Sequence, residues 1–229
     1  MSANSSSPPL PLLLGSSVLL TAIGSYLLFA SRKAVPADLA TTQSESNTTT
    51  TEIVYPTDKY ADSSLSEKEK FLSIYPLLRK ELLDVLKNSN ELNDEALAWC
   101  EAMMDYNVPG GKLNRGMTVV TVVKTMNPKA SPKLLCQAAV CGWAIEFLQA
   151  FFLVADDVMD DSQTRRGQPC WYKKPAVKLI AINDSFLLES FVFGILKRHF
   201  ADEPYYAALQ ELMRDVVLKT EVEIGRAHV

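Results

Sequence analysis

The segment that most constrains this chain runs from Leu134 to Ala155, where Glu146 is the sole charged side chain. Ser131-Pro132 stands before it, a serine suited to cap a helix and a proline at the first helical position, where a missing N–H costs nothing. After it comes the run Asp156-Asp157-Val158-Met159-Asp160-Asp161. A stretch that is apolar all round and lacks strand alternation is a helix buried inside a larger bundle, here expected from Pro132 to about Asp161. The surrounding sequence keeps the helical period. Ser66-x-x-Glu69 forms a capping box ahead of one helix carrying Phe71, Ile74, Leu77, Leu78, Leu82 and Val85. A second helix is expected over Asn93–Tyr106, stopped by Pro109-Gly110-Gly111, and a third from about Leu113 to Thr125. Two more follow around Ile182–Phe200 and Tyr205–Glu221. No segment alternates convincingly between turn signals, so the expected fold is all-α, a helical bundle packed around a cavity.

Composition narrows the function class. Formal net charge is −4 over 229 residues, with no long basic run, so the electrostatic footprint of a nucleic-acid binder is missing and no nucleic-acid partner is expected. Cys100, Cys136, Cys141 and Cys170 form no CxxC pair, and His199 and His228 do not fall beside them at metal-ligand spacing. They read as buried free thiols.

The N-terminal third stands apart. Leu10 to Ala30 is uncharged for about the length that spans ~30 Å of hydrocarbon, so residues 1–33 read as a hydrophobic membrane-anchor or targeting segment. A cleaved signal peptide would carry a basic start and a shorter apolar stretch. Arg32 and Lys33 follow the run, which places the downstream part in the cytosol, with an organelle presequence or a soluble cytoplasmic protein as alternatives. Residues 34–64 are rich in Thr, Ser, Asn and Asp and read as a flexible polar linker. The helical domain is expected over residues 65–222.

At the end of the long apolar segment Asp156 and Asp160 stand four residues apart on one helix face, with Asp157 about 100° round. Like charges at this spacing repel, so the arrangement is favourable only with a counter-charge, which Mg²⁺ would supply, being an oxygen-seeking ion commonly shared between one or two carboxylates and substrate phosphates. An isolated acidic run is ordinarily a solvated face. Here two cationic motifs flank it: Thr164-Arg165-Arg166-Gly167 downstream, and Gly110-Gly111-Lys112-Leu113-Asn114-Arg115-Gly116 upstream. Guanidinium forks match phosphate oxygens. A site for two anionic diphosphates needs both kinds of corner, metal bridged by carboxylates for one and direct cations for the other.

FFLVADDVMDDSQTRRGQPCWY and GGKLNRG, in this order, resemble the first aspartate-rich motif and the isopentenyl diphosphate loop of trans-prenyltransferases of the farnesyl diphosphate synthase family. The resemblance extends from roughly Tyr60 to Val222. It implies an isoprenoid-synthase bundle in which Asp156, Asp157 and Asp160 hold Mg²⁺ against an allylic diphosphate. Arg165 would contact the same group, and Lys112, Arg115, Gln149 and Arg166 would grip isopentenyl diphosphate. Asp161 lies outside the pattern and receives no ligand role. The implied reaction joins isopentenyl diphosphate to dimethylallyl or geranyl diphosphate. Phe151 and Phe152 lie about one helical turn before Asp156, where bulky rings would stop a growing chain at farnesyl length. Geranylgeranyl diphosphate synthesis is the closest rival. Family members form homodimers, and the resemblance implies the same here.

After Val222 the family would continue with Gly-Gln and a second aspartate-rich motif, whereas Glu223-Ile224-Gly225-Arg226-Ala227-His228-Val229 looks like a translated sequencing adapter. Residues 223–229 are therefore expected to be an artefactual tail on an incomplete chain that is inactive alone. A membrane-tethered, non-catalytic partner of an intact synthase is the alternative from another class. A terpene cyclase would share the fold and DDxxD but has no use for GGKLNRG with Arg166.

Overall fold

A computed structural model describes residues 53–89 and 92–228, and within them the chain is almost wholly helical. The apolar run of residues 10–30, and the Thr-rich segment as far as residue 52, lie outside the described residues. The helices are α1 (Thr57–Ala61), α2 (Glu67–Leu72), α3 (Tyr75–Ser89), α4 (Asp94–Asn107), α5 (Asn114–Met126), α6 (Pro132–Met159), α7 (Ala181–Phe200) and α8 (Tyr206–Ala227). Short 3₁₀ turns occupy Trp171–Lys173 and Lys178–Ile180.

Helix α6 is the axis of the body, as its composition demands. The Ser131 side chain accepts from the Leu134 N–H and Pro132 takes the first turn. Helices α5 and α7 pack along it, burying it from Leu135 to Val154 almost without break. Trp143 is fully buried, stacks on Phe71 at 4.7 Å between ring centroids, and donates its indole N–H to the Phe71 carbonyl at 2.9 Å. That hydrogen bond lets a large polar-tipped ring fill the core. Where α5 crosses α6 the two backbones touch. A Cβ added at Gly142 would lie 2.4 Å from the Gly116 carbonyl oxygen, and one at Gly116 would lie 2.5 Å from the Phe71 ring.

Some expectations need correction. The single helix expected after Ser66 is two, α2 and α3. The capping box forms as expected, with the Glu69 N–H donating to Ser66 and the Ser66 N–H to Glu69. Pro76, however, lacks the N–H that would pair with the Leu72 carbonyl, so the first helix stops at Leu72 and a new one starts at Tyr75. The restart shifts the phase, leaving Val85 51% exposed while Leu86 faces the core. The all-α expectation holds, with one two-residue exception: Thr164–Arg165 pairs antiparallel with Gln168–Pro169. The turn between them is Arg166-Gly167 with φ of 54° and 80°, the pair of positive values that a tight hairpin turn requires. The linker expected over 34–64 ends early, because Tyr60 in α1 is buried against the body and Tyr55 shares a 3.0 Å hydrogen bond with His199 Nδ1.

Among the described residues two helical stretches are long and apolar enough to cross a membrane, Pro132–Met159 and Lys178–Phe200, but 83% of the apolar window of the first is buried within the fold. Packing accounts for its composition. All four cysteines are free and buried, and burial pushes the Cys136 thiol up to about 12.

Candidate active site

The end of α6 carries the acidic corner. Asp156 and Asp160 share a face, with side chains 29% and 47% exposed. Asp157 does not join them. One helical step turns it inward, where it is 4% exposed, and Arg165 takes its Oδ1 through Nε at 3.0 Å and Nη2 at 2.5 Å. The expected convergence of three carboxylates is thus a pair plus a buried ion pair, because a carboxylate turned into the core needs a partner of its own. Arg165 reaches back to Asp156 with Nη2 at 3.5 Å from Oδ2 and so bridges the two arrangements. Asp161 ends the helix at φ 51° and is engaged elsewhere, accepting from the Lys173 ammonium at 2.7 Å and the Tyr172 hydroxyl at 2.9 Å.

Burial, and then the Asp160 charge, push the Asp156 carboxyl above its ordinary range, against the pull of Arg165 and His228. Two like charges forced together in a half-buried position favour a bound cation. His228 stands in front of the pair, Nε2 3.7 Å from Asp156 Oδ1 and Nδ1 3.4 Å from Asp160 Oδ1. These three groups offer ligand atoms within 4.8 Å of one another. Sequence spacing gave no signal for this contact, because His228 arrives from the far end of α8.

The basic corner is assembled from three separate segments. The hairpin turn aims Arg166 away from Arg165 and lays it against the glycine loop: a Cβ at Gly111 would fall 3.1 Å from its Nη2, and Nη1 donates to the Asn107 carbonyl at 3.2 Å. Side chains at these glycines would crowd the guanidinium, which would have to give by a few tenths of an ångström. Leu113, buried and left-handed at φ 56°, then turns the chain into α5, leaving Lys112 exposed and Arg115 in the first turn. Beneath lies Glu146, 5% exposed, whose Oε1 accepts the Gly116 N–H at 2.8 Å. Burial raises its carboxyl pKa, opposed by the Gly116 N–H and by the charges of Arg115 and Arg166. Sequence reading assigned Glu146 no site role, although its isolation in an apolar run was the available signal.

Gln149 stands half-buried one turn beyond Glu146, and Phe151 and Phe152 are each 6% exposed with ring centroids 4.7 Å apart. A small cavity between the corners is lined by Tyr106, Asn107, Leu153, Asp157, Arg165, Arg166 and Trp171. Its wall is braced: Tyr106 donates its hydroxyl to the Pro169 carbonyl at 2.7 Å, and buried Asp184 accepts the indole N–H of Trp171 at 2.7 Å and of Trp99 at 2.9 Å. Cys170 beside this wall is held as a thiol, pushed up to about 11 by burial and by its hydrogen bond to Asp157.

Several known proteins resemble this chain. The farnesyl pyrophosphate synthase of Ganoderma lucidum is 49% identical over 163 residues, 71% of this chain and 45% of the relative. That of Candida albicans is 48% identical, over 69% of this chain and 46% of the relative. The chain thus spans about half the length of the curated relatives it matches. Among solved structures, T. brucei farnesyl diphosphate synthase complexed with risedronate superposes with a TM-score of 0.66 at 39% identity, over 69% of this chain and 45% of the other. The description of the polyprenyl synthetase family matches residues 97–224, taking in both corners of the site, and the chain belongs to that family.

Proposed function

We propose that this chain supplies the isopentenyl diphosphate subsite, and one wall of a metal-bridged allylic diphosphate subsite, for Mg²⁺-dependent head-to-tail condensation leading to farnesyl diphosphate. One observation carries the reading: the buried apolar helix α6 ends in a carboxylate pair, and about three turns earlier its Glu146 holds the loop and helix start that carry the cations, with the paired rings of Phe151 and Phe152 between these two levels of the helix. The donor set fits the metal, since Asp156 and Asp160 offer only oxygens and repel each other without it. Bound there, Mg²⁺ would act as a Lewis acid on the diphosphate leaving group.

The remaining chemistry falls to the chain's own side chains. Arg165, held by Asp157, presents its free edge to the allylic diphosphate and compensates charge as the C–O bond breaks. Lys112, Arg115, Gln149 and Arg166 hold isopentenyl diphosphate so that its double bond faces the allylic carbon. A carbon–carbon bond forms there, the diphosphate departs with the electron pair, and a proton passes from the new adduct to that diphosphate. Phe151 and Phe152 keep water from the cation and limit the hydrocarbon to farnesyl length. The same relatives' name supports farnesyl over geranylgeranyl product.

Two further parts of the reading rest on less. Residues 10–30 are proposed as a membrane anchor that leaves the helical domain in the cytosol, supported by their uncharged length alone. A fluorescent fusion to residues 1–62 that stays soluble would reject it. Homodimerisation is supported by exposed Leu179, Ile182 and Phe186 near the start of α7.

Equilibrium dialysis of the purified chain tests the main reading. Geranyl diphosphate should bind only with Mg²⁺ and isopentenyl diphosphate without it. Uptake of the allylic compound with no affinity for isopentenyl diphosphate would turn the assignment toward a terpene cyclase.

A further inference from the structure

One buried charge has no part in the reaction just described. Glu146 projects from the middle of α6 beneath the glycine loop, and its Oε1 accepts the N–H of Gly116, the third residue of α5. Helix α5 needs that contact. Its cap position is Leu113, whose apolar side chain cannot accept a hydrogen bond, and no side chain of its own caps it. A carboxylate from a neighbouring helix therefore does what Ser66 and Ser131 do for their own helices. The approach is fixed sterically, because Gly116 lies against Gly142 and Glu146, and a Cβ at Gly116 would sit 3.0 Å from Glu146 Cγ. The carboxylate also feels Arg115 on α5 and Arg166 on the hairpin, the two guanidinium groups of the basic corner.

We infer that Glu146 is a positioning residue for the diphosphate loop: by capping α5 from α6 it fixes the turn that carries Arg115, so that Arg115 and the Arg166 guanidinium laid against the same loop face one anion. The inference rests on the diphosphate reading given above. Without Glu146 the first turn of α5 would fray and Arg115 would swing with it. Shortening the side chain by one methylene, as in aspartate, would draw the carboxylate back toward α6 and away from the Gly116 N–H.

Inorganic pyrophosphate, titrated calorimetrically into the full chain in metal-free buffer, reads the basic corner alone. Glu146→Gln keeps the reach and the acceptor oxygen and should bind within about threefold of the unaltered chain. Glu146→Ala and Glu146→Asp should each bind at least tenfold more weakly. Circular dichroism melting separates placement from folding, and Glu146→Asp should retain its helix content while losing affinity. Unaltered affinity in Glu146→Ala overturns the inference while leaving the diphosphate reading intact, as does a loss in Glu146→Gln equal to that in Glu146→Ala. If the unaltered chain fails to take up pyrophosphate, or if Arg166→Ala binds as well as it does, the diphosphate reading falls and the inference with it.

Discussion

The acidic corner ends α6 and the basic corner is braced from the middle of the same helix by Glu146, yet the two are balanced by opposite means. Asp156 and Asp160 face each other with like charge, and burial lifts Asp156 above the ordinary carboxylate range. The basic corner is internally matched, with a buried Glu146 beneath Arg115 and Arg166 and a backbone N–H satisfied by the same carboxylate. On the proposed reading, one corner is completed by a cation and the other receives an anion in a frame already held. Deleting a carboxylate should therefore have opposite effects on the folded chain at the two ends of the site.

The largest effect should come from the contact that supports the basic corner. Gly142→Ala places a methyl group 2.4 Å from the Gly116 carbonyl, backbone that cannot swing aside. It should cost about 3 kcal/mol or more of stability by denaturant unfolding, with α5 displaced. A loss under 1 kcal/mol would show that the two helices are not locked together there. Next is Arg165→Met, which leaves Asp157 buried without its ion pair. Because Arg165 is itself partly exposed, the expected loss is about 2 kcal/mol rather than the full cost of a buried pair. It should be smaller in Arg165→Met combined with Asp157→Asn.

The acidic corner should respond in the reverse direction. Asp160→Asn removes a repulsive i,i+4 charge and should leave the metal-free chain unchanged or a few tenths of a kcal/mol more stable. The same variant should lose the rise in Tm that Mg²⁺ gives the unaltered chain. A metal-free chain clearly destabilised by Asp160→Asn would break the contrast. The smallest predicted effect is one of pH. A carboxyl whose pKa is raised in the folded state favours folding when protonated, and that contribution is lost as pH rises through the folded value. Mg²⁺ binds the ionised form, so its stabilising shift should be largest at neutral pH and fade as the pH falls through the raised value of Asp156. A shift independent of pH would place the metal elsewhere.

The contrast also explains what could be read in advance. Asp156 and Asp160 lie on one helix, so the 3.6-residue period alone put them on one face, and α6 itself followed from composition. The same period turns Asp157 away, but its capture by Arg165 depends on a hairpin whose turn, Arg166-Gly167, lacks a familiar turn signature. The basic corner draws Gly111, Gly116, Glu146 and Arg166 from a loop, two helices and a hairpin, and no local pattern encodes that meeting. The break between α2 and α3 was legible in Pro76. His228 reaches the acidic pair only through the course of α8, which spacing along the chain does not encode.

The central claim is that the two corners hold separate diphosphates, one with metal and one without. Titrating the chain with geranyl and isopentenyl diphosphate, each with Mg²⁺ and with chelator, measures this directly. Asp156→Ala with Asp160→Ala should abolish geranyl diphosphate binding and spare isopentenyl diphosphate, while Arg166→Ala should do the reverse. A single shared site, lost for both ligands in either variant, would contradict the account.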